Sequence, residues 1–312
     1  MPALSTAKRP VPPIRSLVLV SADESLVNKA IDGKADALWL DLEQPRFPFG
    51  AREREVARGF ISEYMRSIGG NVKTRPLAFL RVSHPSTGET LGDLRAGVTP
   101  ALAGVLLPKV DTAADVHMLE GLLTAVEHER GIPIGTLQVI PLLESAMGVR
   151  SAYEIATASA RITYMGGMIS AFGDLHRAFG YRWTAKGTET DYLREKVLVD
   201  ARAAGIRYPI SGMWGGATSD IDALTAWARS LRALGYFGMV SSVDIIALVN
   251  EIFSPTKDEI TYWKKLAAQG EIVSGTAQDP GDYPLPSIPE SYIESAHWNL
   301  SWARDLGLLS EV

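Results

Sequence analysis

Short apolar runs alternate with longer stretches of helical periodicity along most of this chain, and that alternation limits the fold more than any other feature. The apolar runs fall at residues 16–20, 37–43, 76–82, 102–110, 137–144, 162–167, 208–213 and 238–242. Helical patterns occupy residues 24–31, 51–68, 113–129, 152–160, 192–204 and 221–234. Runs that are apolar almost throughout belong to strands covered on both faces, the mark of a parallel sheet. Eight βα units in about 250 residues predict an α/β fold of the (β/α)8 TIM-barrel kind. A doubly wound sheet would carry a glycine-rich turn after its first strand, and here that turn reads Val20-Ser21-Ala22-Asp23.

The character changes after residue 255. One more helix is predicted over residues 256–269, with Ser254 or Thr256 as its N-cap. A loop rich in Gly, Pro and Asp follows over 274–289, and a last helix over 291–306 carries Trp298 and Trp302 four apart on one face. We therefore expect a barrel domain over residues 1–255 and a short C-terminal helical extension, or lid, over 256–312. A segment of about fifty residues is too small for its own core and is expected to pack on its own or a neighbouring barrel.

The 312 residues are 46% apolar and 21% charged, which suits a globular enzyme with a sizeable core. A net charge of −5 without a basic cluster argues against a nucleic-acid partner. The chain has no cysteine, so disulfides, thiolate metal sites and cysteine nucleophiles are excluded. Residues 1–13 lack the apolar core of a signal peptide, and no apolar run approaches the roughly 20 residues that span a bilayer. The expectation is a cytoplasmic enzyme with no membrane partner.

In barrels of this kind chemistry sits at the C-terminal ends of the strands, so a charge that closes an apolar run is informative. Strand two ends in Asp41-Leu42-Glu43, strand three in Arg81, strand four in Lys109 and strand five in Glu144, and strand six leads to Phe172-Gly173-Asp174. Barrel geometry converges these ends on one mouth. Glu144 and Asp174, from adjacent strands, suit a hard cation such as Mg2+, with Mn2+ as the second candidate, because such ions take oxygen ligands and keep several waters. A metal there would polarise a carbonyl and stabilise an enolate. Arg81 offers a planar fork to a carboxylate, and Lys109 can neutralise Glu43 or Asp41 or contact substrate, with ion pairing the expected role. His84 and His176 lie near the same ends and are expected to be ordinary surface histidines. Trp214 is expected to pack against a loop, and Arg182 and Lys186 to be solvated.

The ordered set Arg15-Ser16, Asp41-Leu42-Glu43, Arg81-Val82, Leu107-Pro108-Lys109-Val110, Leu143-Glu144-Ser145-Ala146-Met147-Gly148 and Phe172-Gly173-Asp174-Leu175 resembles the HpcH/HpaI aldolase and citrate-lyase beta-subunit superfamily. Residues 201–205 (ARAAG) and 249–255 (VNEIFSP) extend the resemblance. It implies a homotrimeric or homohexameric barrel, Mg2+ on Glu144 and Asp174, a small oxo acid on Arg81, and Glu43 at the same mouth. CoA enters as a part of the substrate in some members.

Three positions depart from the pattern. Glu43-Gln44-Pro45 stands where Glu-Asp-Ala is usual, Ser242-Val243 where His-Pro is common, and Asp282 in Asp-Tyr-Pro matches only loosely an Asp-x-Pro base. The expected function is a divalent-metal-dependent lyase or aldolase. It would cleave or form a 3-hydroxyacyl thioester or a hydroxy-oxo acid through an enolate, with Arg81, Glu43, Asp41 and Lys109 as catalytic candidates. The alternatives are a Schiff-base aldolase using Lys109 and a non-catalytic ligand-binding or assembly subunit on the same barrel.

Overall fold

A computed structural model describes residues 8–44, 50–69, 76–167, 169–268 and 289–309. Eight strands form one parallel sheet: β1 (Ser16–Leu19), β2 (Ala37–Asp41), β3 (Leu77–Arg81), β4 (Leu102–Leu107), β5 (Gln138–Leu143), β6 (Gly166–Gly167), β7 (Ile210–Met213) and β8 (Gly238–Ser241). Their order is β6-β5-β4-β3-β2-β1-β8-β7. The remaining seam, between β6 and β7, is joined by backbone bonds from Ile210 N–H to Met165 O (3.1 Å) and from Met213 N–H to Ile169 O (3.0 Å). The sheet thus closes as a TIM-type barrel, as the alternation of runs predicts.

The seam also explains why the sixth run is a poor strand. A Cβ on Gly166 would lie 1.4 Å from Ile210 O, and one on Gly212 would lie 2.2 Å from Ile169 O. Only glycine allows the two chains this close. The expected strand over 162–167 therefore shrinks to Gly166–Gly167, with an isolated bridge between Ile162 and Val139.

The helices are α1 (Glu24–Asp32), α2 (Ala51–Ser67), α3 (Thr90–Gly97), α4 (Ala113–Glu129), α5 (Ala146–Arg150), α6 (Ala152–Thr157), α7 (Asp174–Phe179), α8 (Asp191–Ala203), α9 (Ile221–Leu234), α10 (Ile246–Ile252), α11 (Lys257–Ala267) and α12 (Glu290–Asp305). The helical pattern over 152–160 becomes α6, and a further short helix, α5, precedes it, the two parted at Ser151. Helix α3 escapes the periodicity because Gly92 and Gly97 weaken its pattern.

Alternation along each strand sorts side chains into two layers. Leu38, Leu40, Ala78, Leu80, Val105 and Leu107 join the layer beneath the helices, together with Leu119, Leu123 and Val197 from α4 and α8. Ala37, Trp39, Leu77, Phe79, Leu106, Ile140 and Leu142 belong to a second cluster with Tyr164 and Val240. By the same two-residue step Asp41, Arg81 and Glu144 continue this inner set. The parity of the strands, rather than any loop, aims these charges into the barrel.

The opposite end of the barrel is clamped by polar contacts. Arg15 Nε and Nη2 donate to Asp36 Oδ2 (2.8 Å) and Oδ1 (2.9 Å), and the Arg15 backbone N–H reaches the same carboxylate. Ser16 Oγ donates to Asn250 Oδ1 at 2.8 Å and accepts the Asp36 N–H, while Asn250 Nδ2 donates to Lys34 O. Two motifs far apart in sequence, Arg15-Ser16 and the Asn250 segment, thus tie β1, the entry to β2 and α10 together. Val11 and Ile14 add apolar contact at this end, and Tyr164 Oη donates to Pro12 O at 2.6 Å.

The chain divides into two compact units, Met1–Phe253 and Ser254–Val312. In the second unit, Thr256 and Glu259 form a capping box that starts α11. Helix α12 packs on α11 with Trp302 buried and its ring 6.2 Å from that of Trp263. Pro45, Asp282 and most of the predicted 274–289 loop lie outside the described residues. No helix of the described residues is long and apolar enough to cross a membrane.

Because Asp36 is almost fully buried against Arg15, Asp36→Ala leaves a guanidinium without its carboxylate. We expect a loss of about 2–4 kcal/mol in the urea unfolding of the barrel. Ligand binding at the mouth, measured well below the melting temperature, should be unchanged.

Candidate active site

Asp41 and Arg81 are direct register partners on β2 and β3. Their parallel placement brings the guanidinium onto the carboxylate in a two-pronged pair: Nε to Oδ1 at 2.9 Å and Nη2 to Oδ2 at 2.5 Å. Both groups are buried, and Asp41 Oδ1 also accepts the backbone N–H groups of Glu43 and Gln44. Asp41 is therefore saturated with donors and acts as an anchor. It fixes Arg81 and shapes the turn that carries Glu43.

Arg81 has two further neighbours. Its Nη1 lies 3.0 Å from Glu43 Oε2, and its Cζ lies 5.1 Å from the centroid of the Trp39 ring. Trp39 precedes Asp41 by two residues on the same face of β2, so strand parity alone could have marked it as a wall of this site. Burial opposes the Arg81 charge, but Asp41, Glu43 and Glu144 outweigh it and its pKa moves upward. The guanidinium is a permanent cation at the base of the mouth.

Lys109 joins the other carboxylates. Its backbone N–H donates to Glu144 Oε2 at 2.9 Å, its Nζ donates to Glu43 Oε1 at 2.6 Å, and Nζ stands 3.8 Å from Asp174 Oδ2. Burial pulls its pKa down, yet the hydrogen bond and charge of Glu43, with Asp174 and Glu144 beyond, turn the net shift upward. A Schiff-base nucleophile needs the opposite, an amine freed of its proton. The ion pairing expected for Lys109 is the arrangement found.

Glu144 follows β5 directly, and Asp174 opens α7. Burial pushes the Glu144 carboxyl up to about 7; Arg81 and the Lys109 N–H oppose this, and the charges of Glu43 and Asp174 add to it. Asp174 Oδ1 also meets the exposed Arg177 Nη2 at 2.5 Å. Arg81, Glu144 and Asp174 all line one cavity of about 230 Å³. Leu19, Trp39, Ile169, Met213 and Val240 supply its apolar surface, with Gln44 and Ser170 as further polar groups. Glu43 is outside the lining but pairs with Arg81, which is part of it, and with Lys109.

The remaining candidates do not line this cavity. His84 Nδ1 faces Ser86 Oγ at 2.8 Å, and its Nε2 is 3.5 Å from Asp115. The His176 ring packs edge-on to Phe172 and Tyr181. Trp214 is buried between Trp183 and Trp227, which is packing rather than a pocket wall. Arg182 and Lys186 are exposed.

The donor set suits a hard divalent cation. Glu144 and Asp174 offer oxygen only, and burial, which raises the Glu144 carboxyl, makes its charged form one that a bound cation would favour. Among the described residues no three Asp, Glu, His or Cys side chains form a ready-made cage. Two carboxylates are enough for an ion that keeps several of its waters.

A model of the HpcH/HpaI aldolase/citrate lyase family matches residues 15–242. The citrate lyase subunit beta of Leuconostoc mesenteroides subsp. cremoris is 31% identical over 235 residues, covering 75% of this chain and 74% of that protein. The L-malyl-CoA/beta-methylmalyl-CoA lyase of Cereibacter sphaeroides is 26% identical over 287 residues, or 85% and 87% of the two chains. Among solved structures, Mycobacterium tuberculosis CitE in complex with magnesium, acetoacetate and coenzyme A superposes with a TM-score of 0.68. That match has 22% identity and covers 94% of this chain and 99% of the other.

The Glu144 shift has a definite consequence for the metal-free protein. A carboxyl whose folded pKa lies above its ordinary 4.5 holds its proton more tightly when folded, so stability falls as pH rises from about 4.5 to about 7 and then levels off. Glu144→Gln removes that fall, by an amount of order 1–3 kcal/mol. Urea midpoints in EDTA across this range should diverge between the two proteins, the variant gaining toward pH 8. Parallel curves would contradict the assignment.

Proposed function

The chain belongs to the HpcH/HpaI aldolase/citrate lyase family, and from that premise we propose a divalent-metal-dependent enzyme that breaks or makes a carbon–carbon bond in a 3-hydroxyacyl thioester or a hydroxy-oxo acid. The lyase or aldolase class follows from the family and its named relatives. The observation that carries the finer reading is the sharing of one cavity by Glu144, Asp174 and Arg81.

Glu144 and Asp174 would hold Mg2+, or Mn2+ in its place, with water completing the shell. Bound there, the ion supplies Lewis acidity that polarises a substrate carbonyl. Every other part belongs to the protein. Asp41 holds the Arg81 guanidinium in one orientation, so that it meets a substrate carboxylate without reorganising. Leu19, Ile169, Met213 and Val240 form an apolar surface that limits water around the reacting carbon. Glu43, held between Arg81 and Lys109, keeps both cations in place and acts on the substrate through them or through a water.

The size of the cavity narrows the substrate. About 230 Å³ is below the roughly 300–1,000 Å³ of pockets that enclose drug-sized ligands. It suits a small oxo acid and the reacting end of an acyl group, with any CoA carrier extending past the mouth. In the cleavage direction the hydroxyl of the 3-hydroxyacyl unit loses its proton. The electrons of the adjacent carbon–carbon bond then pass to the acyl carbonyl, and a proton returns to carbon. The relatives named for citrate and malyl-CoA cleavage support this substrate class. We extend the reading to a homotrimer or homohexamer, which sedimentation would test.

The direct assay uses purified protein with Mg2+ and a panel of 2-oxo acids with acetyl-CoA, alongside malyl- and citramalyl-type thioesters. At least one pair should react, EDTA should abolish turnover, and Mg2+ should restore it. Glu144→Gln and Asp174→Asn should each lower kcat/KM by about 100-fold or more. Arg81→Lys should act mainly through a raised KM for the oxo acid. Full activity in EDTA, or in the doubly substituted protein, would refute the metal reading.

A further inference from the structure

Lys109 does more at this site than an ordinary ion pair requires. Its φ of 53° lies in the left-handed region, where a residue with a side chain is strained. Strain of this kind persists where surrounding contacts impose it, and here they are identifiable. The backbone N–H is held on Glu144 Oε2, while the side chain crosses to Glu43 and approaches Asp174. A single residue thus meets three carboxylates, which come from the ends of β2 and β5 and from the start of α7.

The two halves of Lys109 differ in freedom. The N–H belongs to the main chain at the end of β4 and cannot leave Glu144 without moving the strand. The ammonium sits on a flexible four-carbon stem with 44% of the side chain exposed, close to Glu43 at 2.6 Å but only loosely on Asp174 at 3.8 Å. Resting on the metal reading above, we propose that Lys109 is a positioning residue that stands in for the divalent ion. Its ammonium draws Asp174 toward Glu43 and Glu144 when the ion is absent, and yields Asp174 to the ion when it binds.

The physical reason is charge. Without a metal, Glu43, Glu144 and Asp174 repel one another; Arg177 pairs with Oδ1 of Asp174, and the Lys109 ammonium, held on Glu43, faces the other oxygen, Oδ2. A divalent ion on Asp174 then meets a positive charge close by, and that repulsion opposes its binding. Lys109 therefore stabilises the vacant arrangement and weakens metal affinity together. A purely catalytic or purely packing role would not produce this opposed pair of effects.

The experiment compares the unaltered protein with Lys109→Met and Lys109→Arg at pH 8. Mn2+ binding is read from the electron paramagnetic resonance signal of the free ion, and melting is followed in EDTA and in saturating Mn2+. Lys109→Met should melt several degrees lower in EDTA, yet bind Mn2+ about 3- to 30-fold more tightly, and Mn2+ should close the melting gap. Lys109→Arg, which keeps the charge, should resemble the unaltered protein in both readouts. If Lys109→Met does not fold, Lys109→Gln gives the same comparison. Mn2+ affinity that is unchanged or weaker in the neutral variants overturns the stand-in role while leaving the metal site intact. An unaltered protein that binds no Mn2+ overturns the metal reading and this proposal together.

Discussion

Asp41, Glu43, Glu144 and Asp174 gather at the mouth of the barrel around Arg81 and Lys109, with the exposed Arg177 as a third cation on Asp174. Like charges do not assemble this way unless a rigid frame compels them, because each carboxylate is costly to remove from water without full compensation. Each group is held by its own backbone attachment: Asp41 and Arg81 by a shared register, Glu144 by strand parity, and Asp174 by the first turn of a helix. The frame itself is secured at the other end, where Arg15, Asp36, Ser16 and Asn250 lock the strand entries. One end of the molecule stores stability and the other spends part of it on an electrostatic imbalance, a division typical of enzyme sites.

Within the site the charges are not equivalent. The Asp41–Arg81 pair is complete in itself, bidentate and buried, and serves as a fixed positive wall. Glu43 bridges Arg81 and Lys109, so it couples the wall to the more mobile cation. Glu144 is buried, which raises its carboxyl to about 7, and Asp174 is shared between the exposed Arg177 and the Lys109 ammonium. On the proposed reading, these oxygen donors beside a fixed guanidinium would hold a divalent ion and a carboxylate-bearing substrate at once. That combination is what an enolate-forming carbon–carbon lyase needs.

Much of this was legible in the sequence because strands impose a two-residue rhythm. Asp41, Arg81 and Glu144 each close an apolar run, and the rhythm that buries Trp39, Phe79 and Leu142 carries them into the same interior. Other features depend on approaches between distant segments and leave no local trace. The brevity of β6 follows from contact between Gly166 and Ile210, and the left-handed turn at Lys109 follows from Glu144. The saturation of Asp41 by Arg81 and by two backbone donors likewise appears only in three dimensions. The Arg15-Ser16 motif carries part of the family resemblance, and the fold shows its physical purpose in the clamp with Asp36 and Asn250.

The central claim is that carboxylate oxygens of Glu144 and Asp174 meet on a single divalent ion next to Arg81. A crystal of the protein soaked in Mn2+, with diffraction recorded at a wavelength where manganese scatters anomalously, addresses it directly. The account predicts one strong anomalous peak inside the cavity, about 2 Å from an oxygen of each carboxylate. A cavity without a peak at saturating Mn2+, or manganese bound only at some other carboxylate, would contradict it.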